Sequence, residues 1–90
     1  MRKIWKFPLE IDDSVWLEMP TGAQLLHVGL DPEGAACVWA MVDPFAMIEK
    51  RQIHVYGTGH GIREPGRLRY IGTFNDGQAV WHVFEPARKD

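Results

Sequence analysis

Ninety residues carrying a formal charge of −2 make a single domain with a thin core, since a chain this short buries little more than about 60% of the surface its unfolded form exposes. The charge argues against general binding to nucleic-acid backbone, which takes a net basic footprint, and no apolar run approaches the roughly 20 residues of a membrane span. The lone Cys37 excludes an intrachain disulfide, and the stretch after Met1-Arg2-Lys3 lacks the apolar core of a signal peptide, so the expected location is the cytoplasm.

Hydrophobic period two recurs along the chain, and no window of helical length carries an apolar stripe at period 3.6. The first strand alternates Lys3, Trp5 and Phe7 with Ile4 and Lys6, and Pro8 closes it by removing a ladder donor. Asp12-Asp13 turns the chain into a second strand, where Val15, Leu17 and Met19 alternate with Trp16 and Glu18. Pro20-Thr21-Gly22 supplies the fixed φ and the permissive glycine of a tight turn. A third strand runs from Ala23 to Leu30, and Asp31-Pro32-Glu33-Gly34 reads as a hairpin connection into a fourth, Ala35 to Val42. That run is almost continuously apolar, which predicts a central strand buried on both faces. Phe45 to Lys50 is short enough to be a connection, with room for one helical turn.

Gln52, His54 and Tyr56 alternate with Ile53 and Val55 in a fifth strand that ends at Gly57. After a long loop, Leu68 to Phe74 is the sixth strand, Asn75-Asp76-Gly77 a hairpin turn, and Ala79 to Glu85 the seventh. The expected fold is all-β: a small sandwich or partly closed barrel of six to seven antiparallel strands over residues 1–86, with a polar tail over 87–90. Ten aromatic residues, four of them tryptophan, are a heavy apolar load for so small a core: large rings filling that core account for it, and the alternative is that part of it faces a second subunit.

Charge is unevenly spread. Between Lys50 and Arg69 five cations stand against the single acid Glu64, so this segment is +4 and the remainder −6. Within it, Gly57-Thr58-Gly59-His60-Gly61-Ile62-Arg63-Glu64-Pro65-Gly66-Arg67-Leu68-Arg69 combines bare backbone with guanidinium groups. Glycines let successive N–H groups approach an anion, and arginine engages phosphate in a fork. Tyr56, Tyr70 and Phe74 flank the loop; strand aromatics ordinarily alternate into the core, but rings on a β surface can stack on a base while arginine holds its phosphate. Gly59, His60, Arg63, Arg67 and Arg69, with Tyr56 and Tyr70, are therefore the candidate ligand-contacting set. The same glycines also suit a plain β connection, and they match neither the dinucleotide fingerprint nor the P-loop.

Nothing points to catalysis or to a resident metal or cofactor. His27, His54 and His82 fall singly on strands, none at the spacing of a zinc module. Ser14 lacks a nucleophile elbow, and Cys37 lies in a predicted core strand.

The pattern as a whole resembles an uncharacterised family of small bacteriophage and prophage proteins. The resemblance rests on Lys6-Phe7-Pro8-Leu9, Met19-Pro20-Thr21-Gly22-Ala23, Trp39-Ala40-Met41-Val42-Asp43-Pro44, Tyr56-Gly57-Thr58-Gly59-His60, Tyr70-Ile71-Gly72-Thr73-Phe74 and His82-Val83-Phe84-Glu85. It implies action in a bacterial host cytoplasm and assigns no activity. Two expectations follow. One is a non-enzymatic, homo-oligomeric binding protein that counters host defence by sequestering an anionic nucleotide or by covering a host protein. The alternative is a structural or assembly protein of a phage with no small-molecule ligand.

Overall fold

A computed structural model describes residues 1–87. Of the polar tail expected over 87–90, all but Ala87 lies outside the described residues. Seven strands form: β1 (Lys3–Pro8), β2 (Ser14–Pro20), β3 (Gln24–Leu30), β4 (Ala36–Val42), β5 (Ile48–Gly57), β6 (Leu68–Asn75) and β7 (Val80–Pro86). They build two antiparallel sheets, β1-β4-β3 and β2-β5-β7-β6, that do not close into a barrel. A single 3₁₀ turn, Pro65–Arg67, interrupts the connection between β5 and β6.

The turns form where the sequence provides for them. Ala23 N–H donates to the Pro20 carbonyl at 3.1 Å across a turn whose Gly22 has φ 81°, the left-handed value that a type II turn asks of its third residue. Asp31 organises the β3–β4 hairpin, because its carboxylate accepts from the N–H groups of Glu33 and Ala35 and from Lys6 Nζ, all at 2.9 Å. Asp76 does the same for β6–β7, accepting from Gln78 N–H, Ala79 N–H and Trp81 Nε1–H. These bonds favour the charged carboxylate, so both acids titrate below the usual aspartate range: Lys6 is the first cause at Asp31, and the Trp81 indole N–H at Asp76.

The core lies between the sheets. Val28, Val38, Ala40 and Val42 from one meet Met19, Ile53 and Val83 from the other, all fully enclosed. β3 and β6 come together along one side of the molecule, where Gly72 lies so close to Val28 that a Cβ would stand 3.0 Å from its Cγ2. At the opposite side β1 and β2 each end a sheet.

Two local expectations are corrected. β4 is central, as its apolar run predicts, but Ala36, Trp39 and Met41 are only half-buried, because among the described residues no layer covers the outer face of its sheet. The stretch Ile48 to Lys50 is strand rather than helical turn: it pairs with Glu18 to Pro20 of β2, and that pairing outweighs any local helical tendency. Only Asp43 to Ala46 turns, with Ala46 N–H on the Asp43 carbonyl.

Candidate functional site

β5 sends Ile53 and Val55 into the core and Gln52, His54 and Tyr56 to the opposite face, as a period of two requires. His82 and Phe84 of β7 share that outer face, since Val83 and Glu85 are buried. The register aligns Ser14, His54, Phe84 and Tyr70 in one row, and Tyr56, His82 and Thr73 in the next. An aromatic floor results. Phe84 is met edge-on by Tyr56 at 5.8 Å and by Tyr70 at 5.4 Å, and His54 stacks on Tyr56 at 6.3 Å between centroids.

The basic loop stands over one end of this floor. A turn at Gly57–His60 begins it, with His60 N–H on the Gly57 carbonyl and Gly59 at φ 89°. The His60 ring packs against Gly57, where a Cβ would meet it at 3.0 Å. Further on, Glu64 takes a left-handed conformation, φ 48° and ψ 56°, ahead of Pro65. That is an uncommon state for a non-glycine residue and costs on the order of 1–3 kcal/mol. The loop is held from both sides, as Arg67 N–H reaches the Glu64 carbonyl and Ala87 N–H reaches the Arg67 carbonyl.

Between loop and floor lies an open cleft of about 690 Å³, with Tyr56 and His54 below, His60, Gly61, Arg63 and Arg67 along the loop, and Asp13, Ser14 and Gln52 opposite. The Arg67 guanidinium is 4.0 Å from the Glu64 carboxylate, with both side chains well exposed, a contact that contributes little in water. Arg63 has no ion-pair partner among the described residues. Opposite, Gln52 donates to Ser14 Oγ at 2.9 Å. The loop side of the cleft thus carries two guanidinium groups and the Glu64 carboxylate, and Asp13 and Ser14 add oxygen acceptors.

Of the residues singled out from the sequence, His60, Arg63, Arg67 and Tyr56 line this one cleft, and Gly59 sits in the turn that carries His60. Tyr70 lies on the same face beyond Phe84. Arg69 goes elsewhere. Its Nε and Nη2 donate to Glu85 Oε2 at 2.9 and 2.7 Å, while Arg51 donates to Glu85 Oε1 at 2.7 Å and to the Ala23 carbonyl at 2.8 Å. Glu85 is only 4% exposed, and a buried carboxylate needs such partners.

Two features escaped the sequence reading. Ser14, which opens β2, and Asp13 before it are brought near the loop only by the β2–β5 register. The other is a hydrogen-bonded chain in which His82 Nε2 meets Thr58 Oγ1 at 2.7 Å and Nδ1 meets Thr73 Oγ1 at 2.9 Å, with Tyr70 Oη on Thr73. It locks the imidazole and anchors the first turn of the loop to the sheet. Burial pushes the Cys37 thiol up, which holds it in its unreactive protonated form. Among the described residues no group of three or more His, Cys, Asp or Glu is arranged to hold a metal, and no helix is long and apolar enough to cross a membrane.

No curated protein and no solved structure matches the chain. A family model does, over residues 1–90, and the chain accordingly belongs to the DUF7352 family, a domain of unknown function.

Proposed function

We propose that the protein binds a small phosphorylated nucleoside in the cleft between the basic loop and the outer face of β5, and binds it without turnover. The observation that carries this reading is the convergence of Arg63, Arg67 and His60 on one side of a cleft floored by Tyr56. The charge arrangement narrows the ligand. Asp13 and Glu64 line the cleft together with the two guanidinium groups, Glu64 lying 4.0 Å from Arg67, so a long polyphosphate or a nucleic-acid strand would meet carboxylates as well as cations. A ligand with one or two phosphates fits better, its base on Tyr56 and its hydroxyl donors toward Asp13, Ser14 and Gln52. In a phage or prophage setting, such capture would remove a nucleotide signal from the host cytoplasm.

The test is mass spectrometry of small molecules released from the purified protein by denaturation, followed by calorimetric titration with mononucleotides and cyclic nucleotides. Arg63→Ala is expected to weaken binding by about 10- to 100-fold, since a charge-assisted hydrogen bond is worth about 1.5–3 kcal/mol, and to leave the melting temperature unchanged. Failure to find any released or titrating nucleotide rejects this function. A second reading rests on the β4–β5 connection, where Phe45 and Met47 are 93% and 83% exposed. Apolar side chains so bare suit a protein partner, and Phe45→Ser then abolishes partner binding while nucleotide affinity is unaffected.

A further inference from the structure

We infer that β2 is a dimerisation edge, and that two copies of the chain pair antiparallel through it about a two-fold axis at Trp16, joining their four-stranded sheets into one. Val55 N–H donates to the Asp13 carbonyl, and the register places Ser14 opposite His54. Because bonded and non-bonded pairs alternate in an antiparallel ladder, Val15, Leu17 and Met19 direct their backbone groups to β5. Ser14, Trp16 and Glu18 direct theirs away, to an edge that no strand among the described residues covers.

Natural sheets protect such edges with lysine, proline or a covering element. β1, the outermost strand of the other sheet, has Lys3, Lys6 and Pro8. β2 has no lysine, and its only proline is its last residue, Pro20. Its Trp16 is instead 61% exposed, and Val15 and Leu17 are only half-buried.

Register follows from the same pattern. With the axis at Trp16, each Trp16 faces its counterpart and each Ser14 faces a Glu18, so the open groups form about six backbone hydrogen bonds. Val15 comes opposite Leu17 on the core side, which completes the burial of both, and no Glu18 faces another. An axis at Leu17 would set Ser14 against Pro20, which has no N–H to give. The pairing also places the two clefts along one continuous face, since Asp13 and Ser14 line each of them. The inference does not depend on any ligand.

Sedimentation or native mass spectrometry of the intact protein tests it. A dimer is expected at micromolar concentration, and Trp16→Lys, which sets two like charges opposite each other, is expected to give a folded monomer, whereas Ile4→Lys on β1 leaves the dimer intact. Trp16→Cys is expected to cross-link to its mate with a short bismaleimide, because paired Cα atoms lie about 5.5 Å apart. Glu18→Cys is not, since it lies about 14 Å from its own mate along the strand. A parent protein that stays monomeric at about 100 μM, a dimer that survives Trp16→Lys, or a dimer in which Glu18→Cys links and Trp16→Cys does not, each overturns the inference.

Discussion

Replacing Glu85 with alanine separates what the cationic residues of this chain do for stability from what they do for a ligand. Glu85 joins Arg51 on β5 to Arg69 on β6, and the Arg51 side chain is only 12% exposed. Removing the acid leaves Arg51 with the Ala23 carbonyl and a longer contact, 3.8 Å, to Glu49. Breaking a buried pair by deleting one partner costs about 3–5 kcal/mol. Arg69 is half exposed and recovers its hydration, so the low end, about 3 kcal/mol, applies. For a domain of this size that lowers the melting temperature by about 12–24 °C. Urea denaturation followed by tryptophan fluorescence measures it. Arg69→Ala, which leaves the Arg51–Glu85 pair in place, is expected to cost about 1 kcal/mol and to leave nucleotide affinity unchanged, the opposite of Arg63→Ala. A Glu85→Ala protein within about 0.5 kcal/mol of the parent would show that the three side chains form no energetic unit.

Acid stability is set in part by the two hairpin aspartates. Their pKa values are lowered in the folded state, so their contribution is complete above the ordinary aspartate value of 3.8 and disappears as pH falls through the lower folded value. Asp76→Asn should therefore flatten the fall in stability below about pH 4, measured as melting temperature against pH. Gly72→Ala places a methyl group against the fully buried Val28 and is expected to destabilise by about 1–3 kcal/mol; an unchanged urea midpoint would mean that β3 and β6 can separate freely. Glu64→Gly removes the strained left-handed residue and the acid beside Arg67, so stability should rise by up to about 1 kcal/mol and affinity for a phosphate-bearing ligand should increase rather than fall.

The elements that were legible in the sequence are those governed by neighbours in the chain. Alternation in Val15 to Met19 and in Gln52 to Tyr56, with glycine at the turns, places the strands to within a few residues. The early start of β5 was not legible, because Ile48 to Arg51 become strand by pairing with residues some thirty positions earlier. The same limit applies to the candidate site. The loop announces itself by glycine and arginine, but the β2–β5 register decides that Asp13 and Ser14 face it. Glu85 shares the inward phase of Val83, and an acid in that phase must find cations inside, which removes Arg69 from the pool free to meet a ligand.

That competition for arginine shapes what this face of the protein can bind. Of the five cations between Lys50 and Arg69, Arg51 and Arg69 hold Glu85, and Lys50 stands across from Glu18 in the β2–β5 ladder. Only Arg63 and Arg67 reach the cleft. The +4 of the sequence segment is thus reduced in space to two guanidinium groups that share the cleft with Glu64 and Asp13, which on the function proposed above suits one or two phosphates and not a polyanion. If salt titration of nucleotide affinity gave the steep slope of many released counterions, in place of the shallow one expected for one or two contacts, the charges would be acting together at long range and the assignment of Arg51 and Arg69 to the fold would be wrong.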